Sequence, residues 1–104
     1  MNRIAFKMKL KAGVLDEYKR RHDNIWPELV DLLKKMDIGD YSIFVDMDGT
    51  TLFAVQTQGK SFDEFELRKH PIMGKWWNYM ADLMEVEVDN SPKTQTLQQV
   101  FYIA

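Results

Sequence analysis

Hydrophobic spacing predicts an α+β domain of the ferredoxin-like, split βαβ class, with a four-stranded antiparallel sheet and helices on one of its faces. Three observations carry this. Period-two and helical spacings succeed one another in the order strand, helices, strand, strand, helices, strand. The 104 residues, 45% hydrophobic and 29% charged, suit a single domain over 1–104 and are too few for two independent cores. The strands are apolar on both sides, as in Ile43-Phe44-Val45, Leu52-Phe53-Ala54-Val55 and Val100-Phe101-Tyr102-Ile103. Helices on one face leave the other uncovered, and an apolar sheet face is unfavourable in a monomer this small. The simplest cover is the same face of a second copy, so the expected assembly is a homodimer.

Ile4, Phe6, Met8 and Leu10 alternate with Ala5, Lys7 and Lys9 and predict the first strand. Lys11-Ala12-Gly13 breaks the alternation, and Leu15, Tyr18 and His22 then recur at three and four residues, predicting a helix over 14–23. Pro27 lacks an amide hydrogen and clashes with a preceding turn, so it ends that helix and opens a second over 27–36, striped by Leu29, Leu32, Leu33 and Met36. Gly39 and Asp40 close this half. Tyr41, Ile43 and Val45 alternate as a second strand, Asp48-Gly49 makes a hairpin turn, and 51–58 is the third strand. Ser61 and Glu64 have capping-box spacing, which predicts a short helix from Ser61 to about His70-Pro71. Met73, Trp76, Trp77, Met80 and Met84 predict a further helix over 72–84. Asp89-Asn90-Ser91-Pro92 is loop chemistry, and 96–103 closes the chain as a strand.

Composition excludes several classes of function. Fourteen Lys and Arg against sixteen Asp and Glu give a net charge of −2, with no general attraction for nucleic acid or anionic lipid. The absence of cysteine removes disulfide scaffolds, thiol nucleophiles, iron–sulfur clusters and cysteine-based zinc sites, and it fits the cytoplasm. Lys7 interrupts the run that a signal peptide needs, and no segment approaches the ~20 apolar residues of a membrane span. His22 and His70 lie in different halves without ligand spacing, and Asp46-Met47-Asp48-Gly49 lacks the later acceptors of a calcium loop, so no metal site is expected.

What remains is acid–base and aromatic chemistry. Tyr18 and His22, four apart, share one side of a helix, and histidine suits proton transfer near neutral pH. The same pair also reads as a core tyrosine and a helix-terminal histidine meeting the dipole. Trp76, Trp77 and Tyr79 combine flat apolar area with polar handles, suited to the C–H face of a sugar or to core packing. Adjacent positions lie about 100° apart on a helix, so one of Trp76 and Trp77 is expected in the core and the other at a cleft. Tyr41 opens the second strand, at a cavity rim or in ordinary sheet packing. Lys19-Arg20-Arg21 is a solvated face from which one arginine could reach an anionic group.

Arg21-His22-Asp23-Asn24-Ile25-Trp26-Pro27-Glu28-Leu29, Lys75-Trp76-Trp77-Asn78-Tyr79-Met80, Asp89-Asn90-Ser91-Pro92 and Phe101-Tyr102 together resemble the L-rhamnose mutarotase family of small bacterial sugar-epimerising enzymes. The likeness runs from Ile4 to Tyr102. It implies a homodimeric α+β barrel of ferredoxin-like domains, and an isomerase that interconverts the α and β anomers of L-rhamnose without metal or organic cofactor. It further implies that His22 is the proton donor and that Tyr18, Tyr41, Trp76 and Trp77 bind the sugar. Two alternatives share the same scaffold: a cofactor-free dimeric monooxygenase and a non-catalytic sugar-binding dimer. Fold does not separate them.

Overall fold

Residues 2–104 are described by a computed structural model. Alternating side chains build β1 (Asn2–Lys9), followed by α1 (Leu15–Asp23) and α2 (Pro27–Lys35). Next come β2 (Ile38–Val45), β3 (Thr51–Gln58), α3 (Glu64–Lys69), α4 (Pro71–Met80), a 3₁₀ turn (Ala81–Leu83) and β4 (Gln95–Leu97). The sheet order is β2-β3-β1-β4 and every pairing is antiparallel, the ferredoxin-like arrangement expected from the order of patterns.

Register assigns the two faces. Met8, Leu52 and Ala54 point to one side and are buried against Tyr18 of α1, Leu29 and Leu32 of α2, and Met73, Trp76 and Met80 of α4. The opposite face carries Ala5, Phe44, Phe53 and Val55, and Phe44 is 61% exposed. The two-sided apolarity of the strands is therefore real, and one of the two sides lies open in the single chain.

Four boundaries depart from the spacing. β2 begins at Ile38 rather than after Asp40, because the pairing with β3 is irregular between Gly39 and Ser42, and the extra residue carries the chain through what reads as a loop. Asp63, not Ser61, caps α3: its Oδ1 accepts from the Glu66 amide at 3.2 Å, while the Ser61 amide donates to Asp37 Oδ2 at 3.1 Å. α4 stops at Met80, since its continuation tightens into the 3₁₀ turn and Met84 leaves to bridge Leu10. The final strand is confined to Gln95–Leu97, paired with Lys7 to Ala5 of β1; beyond it the backbone has no strand to pair with, and Val100, Phe101, Tyr102 and Ile103 are exposed.

Candidate active site

α1 sets the first two groups. Tyr18 and His22 stand one turn apart with ring centroids at 4.4 Å. His22 Nδ1 lies 3.1 Å from the Tyr18 carbonyl oxygen. A carbonyl only accepts, so Nδ1 carries the hydrogen and Nε2 is the nitrogen left for chemistry. Burial lowers the His22 pKa from 6.5, opposed by that hydrogen bond and by the charge of Asp23. The imidazole is accordingly held towards its neutral form.

Tyrosines follow next to it. Tyr18 is buried, and its hydroxyl is pushed upward mainly by desolvation, with a smaller contribution from Tyr41. The irregular stretch of β2 brings Asp40 and Tyr41 opposite Gln56 of β3. Tyr41 is 40% exposed as a residue, yet its hydroxyl is desolvated, and burial pushes it up to about 12. Both phenols therefore remain protonated at neutral pH and act as hydrogen-bonding groups rather than bases.

α4 supplies the aromatic wall. Trp76 meets His22 edge-on at 5.4 Å and Trp26 edge-on at 5.1 Å, and Trp26 stacks on Tyr79 at 5.6 Å. Trp76 and Trp77 both line the cavity, although only Trp76 is fully buried; Trp77 lies beneath the Arg68 guanidinium at 5.4 Å. The expected division holds in that Trp76 is buried in the core and Trp77 is partly buried at the cavity, although Trp76 borders the cavity as well.

The cavity measures about 1080 Å³. Tyr18, His22, Tyr41, Trp76 and Trp77 all border it, so the five residues singled out in the sequence come together around one space. Its lining includes Phe6, Met8, Ile43 and Gln56 from the helix-facing side of the sheet, together with Ser91, Pro92 and Thr94. Ser91 is buried, its amide and hydroxyl both donating to Asp89 Oδ1, and Asn90 donates to Asn78 Oδ1 of α4 at 3.0 Å. The Asn90-Ser91-Pro92 loop is thus pinned to the aromatic helix. A second recess of about 450 Å³ shares Arg68, Ser91, Pro92 and Thr94 with the cavity, and among the described residues no aromatic or histidine side chain lines that recess.

The basic run on α1 is engaged rather than free. Lys19 pairs with Asp23 at 2.9 Å and Arg20 with Glu17 at 2.6 Å. The Arg21 side chain is 12% exposed and reaches Glu17 at 2.7 Å, Asp82 at 2.9 Å and the Tyr79 carbonyl at 2.7 Å. Its guanidinium also covers the Tyr79 ring at 4.5 Å, tying α1 to the end of α4. The anionic groups that Arg21 reaches are thus carboxylates of the chain itself, Glu17 and Asp82. His70 lies apart from His22; its Nδ1 accepts from the Ile72 amide at 3.2 Å and caps α4.

A family profile described as L-rhamnose mutarotase matches residues 3–103. The chain belongs to the L-rhamnose mutarotase family. An L-rhamnose mutarotase of Flavobacterium johnsoniae is 54% identical over 97% of this chain and 94% of that protein. One from Sinorhizobium fredii is 46% identical over the full length of both. A crystal structure of L-rhamnose mutarotase from Formosa agariphila superposes with a TM-score of 0.92 at 47% identity, covering all of both chains. The resemblance read from the four sequence segments therefore holds along the whole chain, and it decides the family where the fold alone leaves a monooxygenase scaffold open. Sequence reasoning missed Gln56, which lines this cavity, and Trp26, which packs edge-on against Trp76 without lining it. For Trp26 the available signal is its position at the bend before Pro27, at the start of α2. Gln56 carried none beyond being polar at an inward-facing strand position.

Proposed function

We propose that the chain is an isomerase that interconverts the α and β anomers of L-rhamnose by acid–base opening and reclosure of the pyranose ring, with His22 moving the proton. Ring opening breaks the bond between C1 and the ring oxygen, converts the anomeric C–O–H to an aldehyde, and places a proton on the ring oxygen. One proton leaves and one arrives on neighbouring oxygens of the same carbon, so a single imidazole facing both can serve. Neutral His22 receives the anomeric proton at Nε2, and the imidazolium so formed donates it to the departing ring oxygen. Rotation about C1–C2 and the reverse sequence give the other anomer. The observation that carries this reading is the Nδ1 contact to the Tyr18 carbonyl, which leaves Nε2 as the available nitrogen. Tyr18 and Tyr41 hydrogen-bond sugar hydroxyls, while Trp76 and Trp77 cover the C–H faces and exclude bulk water.

The same reading gives the chain one domain, over residues 1–104, and a homodimeric state. Support for the dimer is the open sheet face bearing Phe44 and the exposed run from Val100 to Ile103, both of which a second copy would cover. A cysteine-free enzyme acting on a free monosaccharide suits the cytoplasm.

Magnetisation-transfer NMR on equilibrated L-rhamnose tests the activity. Exchange between anomer signals should accelerate in proportion to protein and not with L-fucose; a rate equal to buffer in the presence of folded protein would rule out the assignment.

A further inference from the structure

β3 directs Leu52, Ala54 and Gln56 towards the helices, and all three are buried, with Gln56 only 5% exposed. Two apolar side chains and a primary amide thus occupy one row on the helix-facing side of the sheet, and Leu52 and Gln56 of that row line the cavity. Gln56 Oε1 accepts from Gln58 Nε2 at 2.9 Å, which fixes the amide plane. Among the described residues the Gln56 N–H groups donate to no protein atom, and no fully occluded side-chain nitrogen or oxygen lacks a partner. The amide edge therefore opens on the cavity that Gln56 lines. A buried amide is costly unless something accepts its hydrogens, and packing alone would favour an aliphatic side chain in this row.

We infer that Gln56 is a substrate-recognition residue: its N–H donates to a ring hydroxyl of the bound pyranose, and Gln58 holds it in that orientation. This rests on the mutarotase reading above and adds to it the means of telling one sugar from another. Location selects the kind of hydroxyl. Gln56 lies on β3 opposite Asp40 and Tyr41, Tyr41 acts on Tyr18, and Tyr18 in turn packs on His22 at 4.4 Å, so Gln56 is reached from His22 only through the two tyrosines in this chain of neighbours. His22 works at C1 and the ring oxygen, so Gln56 meets a hydroxyl on the non-reacting part of the ring. A contact that is equally strong in substrate and transition state affects KM and leaves kcat alone.

The test compares wild type with Gln56→Leu, and with Gln56→Met as a variant that keeps side-chain length should the leucine protein not fold. L-rhamnose and its 2-, 3- and 4-deoxy analogues serve as substrates in anomer-exchange NMR. The expected result is a KM for L-rhamnose raised about tenfold in the variants, with kcat within about twofold of wild type. One deoxy analogue should be penalised about tenfold with wild type and not with the variants, because the hydroxyl and its partner are each missing once. Gln58→Leu should reproduce part of the KM effect. A purely structural role would instead lower thermal stability and kcat while preserving every deoxy penalty. Wild-type exchange with an unchanged KM in a folded variant overturns the role of Gln56 alone; no exchange with wild type overturns the mutarotase reading and this inference together.

Discussion

His22 enters the cavity with one ring nitrogen committed to the Tyr18 carbonyl, and that fixes what the other can do. With burial holding the imidazole towards neutrality, kcat/KM should fall as the pH drops through the lowered His22 pKa and Nε2 becomes protonated. A pH–rate profile flat down to pH 4 would contradict this. The same shift links to stability. The folded pKa lies below the ordinary 6.5, so on acidification the unfolded chain binds the proton first. The stability present above pH 6.5 is therefore lost progressively towards the folded pKa. Trp76, 6% exposed and packed edge-on against both His22 and Trp26, carries structure in addition to its proposed place against the sugar. Trp76→Ala should cost about 3–5 kcal/mol in urea unfolding, whereas Trp77→Ala should mainly raise KM. The pairing of Tyr18 with His22 was legible because a four-residue interval is a helical neighbour whatever else the fold does. Tyr41 was not equally legible: its place beside Tyr18 depends on a strand irregularity at Gly39 and Ser42, and the alternation of residues carries no mark of it.

Elements hold these side chains in place through a few cross-links. Arg21 joins α1 to the end of α4 through Glu17, Asp82 and the Tyr79 carbonyl, which ties the histidine helix to the tryptophan helix. Arg20, then Arg21, hold the Glu17 carboxyl down at about 2. What that pairing contributes is present above the ordinary carboxylate pKa and is lost as pH falls towards that value. Arg21→Met should destabilise the protein by about 1–3 kcal/mol and lower kcat, since the Asp82 and Tyr79 acceptors lose their partner while the Glu17 pair with Arg20 survives. Thermal denaturation and single-turnover exchange would show both. Asp63→Ala should cost about 1 kcal/mol through loss of the α3 cap and leave exchange unchanged. Periodicity placed α1, α2 and β3 to within a residue, because Pro27, Gly49 and the hydrophobic stripes are local signals. It misplaced the end of α4, because Met84 leaves the helix to pair with Leu10, some seventy residues earlier in the chain.

At the scale of the molecule, the order of patterns was enough for the topology, since short connections and antiparallel pairing leave few alternatives. The length of the last strand was not legible, because Val100-Phe101-Tyr102-Ile103 is an apolar, β-prone run that nevertheless finds no edge within its own chain. Removing residues 98–104, or changing Phe44 to Lys, should therefore shift the protein towards monomer in sedimentation velocity, while either change leaving a full dimer would mean that another surface mediates assembly. The proposed mechanism rests on one proton-transfer residue, His22. Anomer exchange of L-rhamnose should therefore be measured side by side for wild type and a folded His22→Ala protein. Wild type should accelerate exchange and the variant should lose about 10²–10⁴-fold of it; a variant as fast as wild type would contradict the account.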